Sequence, residues 1–101
     1  MFVILWEFDV KQECEEEFTL AYAGSGTWAR LFGAVPGYRE TRLLKNVSAP
    51  LRYITMDVWQ SREEYEDFLE AKREEYQALD EQCAGWTSRE RHLTSFETDG
   101  I

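Results

Sequence analysis

Two carboxylates on strand-like segments are the residues of this 101-residue chain best suited to acid–base chemistry: Glu7, in the run 2–10, and Asp57, in the run 51–59. Side chains alternate along a strand, so Leu51, Tyr53, Thr55, Asp57 and Trp59 share one face, as Leu5 and Glu7 do on theirs. Two carboxylates brought together in a partly apolar pocket raise one another's pKa, which is how a general base able to work near neutrality is made. The competing reading pairs each acid with Arg39, Arg89 or Arg91 as a strand-end ion pair. Trp59 and Tyr65 stand beside Asp57 in sequence and are read in two ways, as aromatic walls of a site or as core.

Other reactive residue types give less. His92 is the only histidine, so one chain cannot build a histidine-rich zinc site, and a solvent-side or interface role suits it better than catalysis. Cys14 and Cys83 lie 69 positions apart without a CxxC spacing, and Cys14 is flanked by Glu13, Glu15, Glu16 and Glu17, an acidic setting that does not favour a reactive thiolate. Gly24-Ser25-Gly26 is a helix break or a gate over a pocket; it neither follows a strand nor carries a lysine, as a phosphate loop would.

These residues need a frame. In 2–10, Phe2, Ile4, Trp6, Phe8 and Val10 form an apolar set, while Val3, Leu5, Glu7 and Asp9 turn from apolar to acidic, which predicts a strand covered on both faces in its first half. Residues 11–22 read as a helix with an acidic first turn, with Cys14, Phe18 and either Leu20 or Ala21 and Tyr22 inward. A short second piece over 27–34 brings Trp28, Leu31 and Phe32 to one face before the Pro36-Gly37 turn. Residues 38–46 and 51–59 form a hairpin, and Ser61 to Glu64 is a capping box opening one helix with Tyr65, Phe68, Leu69, Tyr76 and Leu79 on its stripe. A last strand covers 87–96, and 98–101 is a tail.

The order strand, broken helix, two strands, helix, strand is that of a ferredoxin-like βαββαβ domain of the α+β class, a four-stranded antiparallel sheet occupying the whole chain, 1–101. In that arrangement the first and third strands are neighbours, and reading them as parallel puts Glu7 and Asp57 close on one face near Trp59. Two helices cover one sheet face only. The other carries large apolar side chains, so a homodimer with sheets packed face to face is expected.

Composition narrows the partners. The chain has 11 basic and 20 acidic residues, net −9, with no cluster of Lys and Arg, so neither nucleic acid nor an anionic membrane surface is an expected partner. No apolar run approaches the roughly 20 residues that span a bilayer. The opening Met1 to Trp6 lacks a basic flank and meets Glu7 at once, unlike a signal peptide, so a cytoplasmic location with reduced thiols is expected. Most of the surplus acid falls on helix exteriors, above all in 62–81, as a solvated face.

The run from Tyr53 through Trp59, Ser61 and Glu63 to Tyr65, followed by Phe68-Leu69, resembles the dimeric α/β-barrel superfamily, and within it the antibiotic biosynthesis monooxygenases. There a strand ends in tryptophan and Ser-x-Glu opens a helix with an aromatic about six residues on; Leu5-Trp6-Glu7-Phe8 and Pro36-Gly37-Tyr38 also fit. The resemblance implies a small homodimer with a pocket between sheet and helices. It implies an oxygenase needing neither flavin nor metal, in which the anion of a small aromatic or quinol-like substrate reduces dioxygen, the protein's task being deprotonation and orientation.

On this reading Glu7, Asp57, Trp59 and Tyr65 are the catalytic candidates, and Leu5, Trp28, Phe32, Thr55 and Phe68 the substrate contacts. The sequence departs from the family, whose oxygenases often place an asparagine on a strand near the tryptophan; Thr55 stands four before Trp59, and the sole asparagine is Asn46. The haem-degrading branch needs a strand-one asparagine and a helix histidine, where this chain has Leu5 or Glu7 and Leu69 or Lys72, so haem is not expected. The alternative function is a non-catalytic ligand-binding or stress-associated homodimer on the same fold.

Overall fold

The computed structural model describes residues 1–99, so Gly100 and Ile101 of the expected tail lie outside the described residues. Strand β1 (Phe2–Val10) leads through a 3-10 turn into helix α1 (Glu15–Tyr22) and then α2 (Thr27–Phe32). Strands β2 (Tyr38–Lys45) and β3 (Arg52–Trp59) follow, then helices α3 (Arg62–Ala71) and α4 (Arg73–Cys83), and strand β4 (Thr87–Glu97). The sheet order is β2-β3-β1-β4, every neighbouring pair antiparallel. This is the expected ferredoxin-like α+β architecture.

Local chemistry explains the boundaries. Asn46 accepts hydrogen bonds from the amides of Ser48 (2.8 Å) and Ala49 (3.1 Å), an Asx turn that reverses the chain between β2 and β3. Gly26 is where α2 starts hard against α1: a Cβ there would stand 2.6 Å from the Ala21 carbonyl oxygen and collide with that of Leu20 as well. Ser61 Oγ accepts from the Glu64 amide at 3.2 Å, capping α3 as expected. The reciprocal half of the box is not made. The Glu64 carboxylate packs instead against Gly37, where an added Cβ would meet Oε2 at 2.5 Å.

Two expectations about the helices change. Residues 11–22 do not form one helix, because a 3-10 turn over Gln12–Cys14 precedes α1; Phe18, Ala21 and Tyr22 point inward and Leu20 is 69% exposed. The long acidic helix is two, broken at Lys72 (φ −114°, ψ 27°). The break re-aims α4, so that Tyr76 reaches the ring of Trp28 (5.1 Å between centroids) while Phe68 on α3 packs on Trp59 (5.1 Å).

The expectation that β1 and β3 run parallel is overturned, and with it the approach of Glu7 to Asp57. A helical crossover returns β2 in the direction of β1, and the hairpin then reverses β3, so β3 opposes β1. In the resulting register Asp57 faces Ile4, whereas Glu7 faces Ile54. Directly opposed residues share a face, so Asp57 lies with Ile4, Trp6 and Phe8 toward the helices and Glu7 lies on the reverse.

The core is aromatic and sits between sheet and helices. Phe18, Trp59 and Phe68 are its largest fully buried side chains. Phe8, Phe18, Tyr22 and Tyr53 join in one set of ring contacts, Phe32, Tyr38, Trp59, Tyr65 and Phe68 in another, and Trp28 links them through Tyr22 and Phe32. The reverse face presents Leu5, Ile54 and Met56 with half-exposed Leu44 and Phe96. It carries the ion pairs Glu7–Arg91 (2.9 Å) and Asp9–Arg52 (2.8 Å), and the Arg52 hydrogen bond holds the Asp9 carboxyl below its usual range.

Candidate active site

Asp57 is the buried acid of the helix-side face, only 8% exposed. The β2–β3 register places Thr41 directly opposite, and Thr41 Oγ1 donates to Asp57 Oδ1 at 2.7 Å. Thr41 in turn accepts from the Tyr38 hydroxyl at 2.8 Å. The result is a short chain of hydroxyls ending on one carboxylate oxygen, while Oδ2 takes no hydrogen bond among the described residues. Burial pushes the Asp57 carboxyl up to about 6, against the opposing effect of the Thr41 hydrogen bond. Burial also raises the Tyr38 hydroxyl above its usual value, with the Thr41 hydrogen bond opposing and the Asp57 charge reinforcing.

A pocket opens over this carboxylate. Thr41, Thr55 and Asp57 form its polar floor; Trp6 and Phe8 of β1, Tyr22 of α1 and Trp28 and Phe32 of α2 form its walls. Tyr76 and Asp80 of α4 and Glu90 of β4 complete the rim. The space free of protein atoms, open mouth included, is about 400 Å³, and the part a water molecule's centre can reach is about 40 Å³. Mostly aromatic walls with a few convergent polar groups are the usual make-up of a small-molecule site, though the enclosed part of this one is far smaller than a typical ligand cavity.

The sequence candidates divide sharply against this pocket. Asp57, Thr55, Trp28 and Phe32 line it. Glu7 does not: it is on the other sheet face and bonded to Arg91, one of the arginines the ion-pair reading offered. Leu5 shares that reverse face. Arg39, another offered partner, instead donates to Gln60. Trp59 is completely buried, ringed by Phe32, Tyr38, Tyr65 and Phe68 at 5.1–5.5 Å, and Tyr65 packs between it and Phe2. Phe68, 1% exposed, belongs to the same core. These three build the platform under Phe32 rather than the pocket wall. His92 is exposed, bonded to Ser95 Oγ (2.9 Å) and edge-on to Trp6 (5.4 Å).

Sequence reasoning missed Phe8, Tyr22, Thr41, Tyr76, Asp80 and Glu90 of the pocket lining. For Thr41 a signal existed, since alternation on β2 makes it a lone small polar side chain with Leu43 on its inward face. Tyr76 was legible only as a stripe residue. Asp80 and Glu90 were indistinguishable from solvated acids until α4 and β4 were placed side by side. Among the described residues no three or more His, Cys, Asp or Glu side chains come together as a metal-holding group, and both cysteines are free thiols.

The frame has counterparts among solved structures. The oxygenase SnoaB of Streptomyces nogalater, described as cofactor-independent, superposes with a TM-score of 0.74 at 17% identity over 99% of this chain and 94% of its own. A protein of Bordetella bronchiseptica assigned as an antibiotic biosynthesis monooxygenase gives 0.75 at 17% identity over 96% and 95%. One of Nitrosomonas europaea with the same assignment gives 0.71 at 15% over 99% and 100%. At such identities the likeness establishes the fold. No curated protein matches the chain in sequence. The family model of the antibiotic biosynthesis monooxygenases, however, matches residues 1–82, from the first strand through both acidic helices, and the chain belongs to that family.

Proposed function

We propose that this protein is a monooxygenase that binds a small aromatic phenol or quinol over Asp57 and oxidises it without flavin or metal. The observation that carries the reading is a buried carboxylate, half-ionised near pH 6, at the floor of an aromatic-walled pocket. With Oδ1 occupied by Thr41, Oδ2 is the oxygen that receives the phenolic proton. The substrate anion is the source of all the electrons: one oxygen atom of dioxygen enters the ring, the other leaves as water with two hydrogens from the substrate, and the product is the quinone, so no external reductant is consumed. Trp28 and Phe32 hold the ring plane, and Thr55 offers a hydroxyl beside the acid. Oxygen uptake measured with a panel of single-ring quinols and phenols, without added flavin or metal, tests this directly. Uptake matching one equivalent of oxidised product is expected; a panel without any turnover overturns the catalytic reading.

The second reading, a ligand-binding dimer without catalysis, is favoured by one observation: Trp59, which matches the tryptophan of the family's oxygenases, is sealed in the core here, and half-buried Tyr65 packs on it away from the pocket.

The same proposal includes a homodimer. Leu44 and Phe96, 48% and 53% exposed, extend an apolar reverse face on which Glu7 and Arg91 already neutralise each other, and a second copy of that face is the natural cover. Sedimentation at micromolar concentration is expected to give a dimer, and Phe96→Asp a monomer; a wild-type monomer overturns it. No helix of the described residues is long and apolar enough to cross a membrane. We place the protein in the cytoplasm, where free Cys14 and Cys83 stay reduced.

A further inference from the structure

The charged side chains lining the pocket are all acids. Asp57 is at the floor and Asp80 and Glu90 are at the rim, with no lysine or arginine among the lining residues. His92 stands outside the lining, at the edge of Trp6 and bonded to Ser95. Asp80 and Glu90 come from α4 and β4, elements that meet only in the tertiary structure, and neither forms a salt bridge or hydrogen bond among the described residues. They are close enough that Asp80 adds to the rise in the Glu90 carboxyl's pKa that burial begins. Two uncompensated like charges side by side destabilise the empty protein slightly, and a cation seated between them reverses the sign of that interaction.

The acids do not stand alone. Behind them the indoles of Trp6 and Trp28 and the ring of Tyr76 wall the cavity, and such faces attract a cation near their centres. At the floor, Asp57 is more than nine-tenths buried and keeps one oxygen without a hydrogen-bond partner. An anionic aromatic would meet three carboxylates in this space, whereas a cationic one would meet three counter-charges and an aromatic box.

We infer that the pocket selects a single aromatic ring bearing a protonated amine, the ammonium lying at the mouth between Asp80 and Glu90 and the ring hydroxyl reaching Asp57. The inference rests on the reading of this pocket as a phenol site and names the substrate class within it.

The test titrates the protein by calorimetry with four probes of one size: tyramine, 4-propylphenol, 3-(4-hydroxyphenyl)propanoate and phenethylamine. Tyramine is expected to bind at least about tenfold more tightly than 4-propylphenol, with the propanoate weakest. That margin is expected to shrink as salt rises and to close in the double variant Asp80→Asn, Glu90→Gln. The double variant is also expected to melt no lower than wild type, since it removes a repulsion. Equal binding of 4-propylphenol and tyramine overturns the amine inference and leaves the phenol reading standing. Binding of phenethylamine and tyramine alike, with none of 4-propylphenol, supports the amine site and removes the phenol reading. A tyramine margin that survives in the double variant, or a double variant that melts lower, overturns the assignment of these two acids, and failure of all four probes overturns both readings.

Discussion

Asp57→Asn is expected to make the protein more stable at pH 8 while removing its turnover. The sign follows from linkage. Burial raises the carboxyl from an ordinary value of 3.8 to about 6 in the folded chain, so folding disfavours the charged form. Below pH 4 the group is protonated in both states and costs nothing. Between pH 4 and 6 the unfolded chain ionises first and stability falls. Above pH 6 both states are ionised and a constant cost of about 3 kcal/mol remains, from two pKa units at about 1.4 kcal/mol each. Asparagine keeps an amide oxygen for the Thr41 hydroxyl and never ionises, so the variant escapes that cost.

Melting curves across pH check it. Wild type and variant should coincide near pH 4 and separate by on the order of 10 °C at pH 8. On the catalytic side, loss of a general base typically removes about 10²- to 10⁴-fold in rate, and the rising limb of activity near pH 6 should disappear with it. A variant no more stable than wild type at pH 8 would sink the claim of a buried, strained carboxylate. Full turnover would sink its role as the base.

Trp59 gives the second large effect, and it separates core from catalysis. Truncation to alanine empties a fully buried site that touches four rings, and a loss of about 3–5 kcal/mol is expected. Trp59→Phe keeps most ring contacts and deletes an indole N–H that is buried without a hydrogen-bond partner among the described residues, so its cost is expected to be about 1–2 kcal/mol. Because Trp59 does not line the pocket, the phenylalanine variant should keep kcat within a few-fold of wild type. Urea midpoints read alongside kcat decide between the roles. A phenylalanine variant that stays folded but loses turnover by a hundredfold would place Trp59 in the chemistry after all.

The contrast between these residues shows what could be read from sequence and why. Alternation in β3 put Thr55, Asp57 and Trp59 on one face correctly, because a strand's period of two is a property of the backbone. Trp28 and Phe32 were placed together by helical spacing, and both line the pocket. Glu7 stands beside Asp57 only if β1 and β3 run parallel, and they run antiparallel. Reversing one strand exchanges its end nearest Asp57, and the register leaves Glu7 on the other face with Arg91. The break at Lys72 had no proline or glycine to announce it, yet it is what brings Tyr76 and Asp80 to the pocket.

The sequence by itself determined the strand-and-helix order, the ferredoxin-like class, the shared face of Thr55, Asp57 and Trp59 on β3 and the family motif around Trp59, since all of these rest on local periodicity, capping and turn chemistry. Only the tertiary structure decided which carboxylate is buried, which hydroxyl holds it, and which acids meet at the pocket mouth. Those outcomes depend on strand direction, register and helix placement, and two carboxylates alike in sequence differ in chemistry once one is desolvated over an aromatic pocket and the other is paired with arginine on the opposite face.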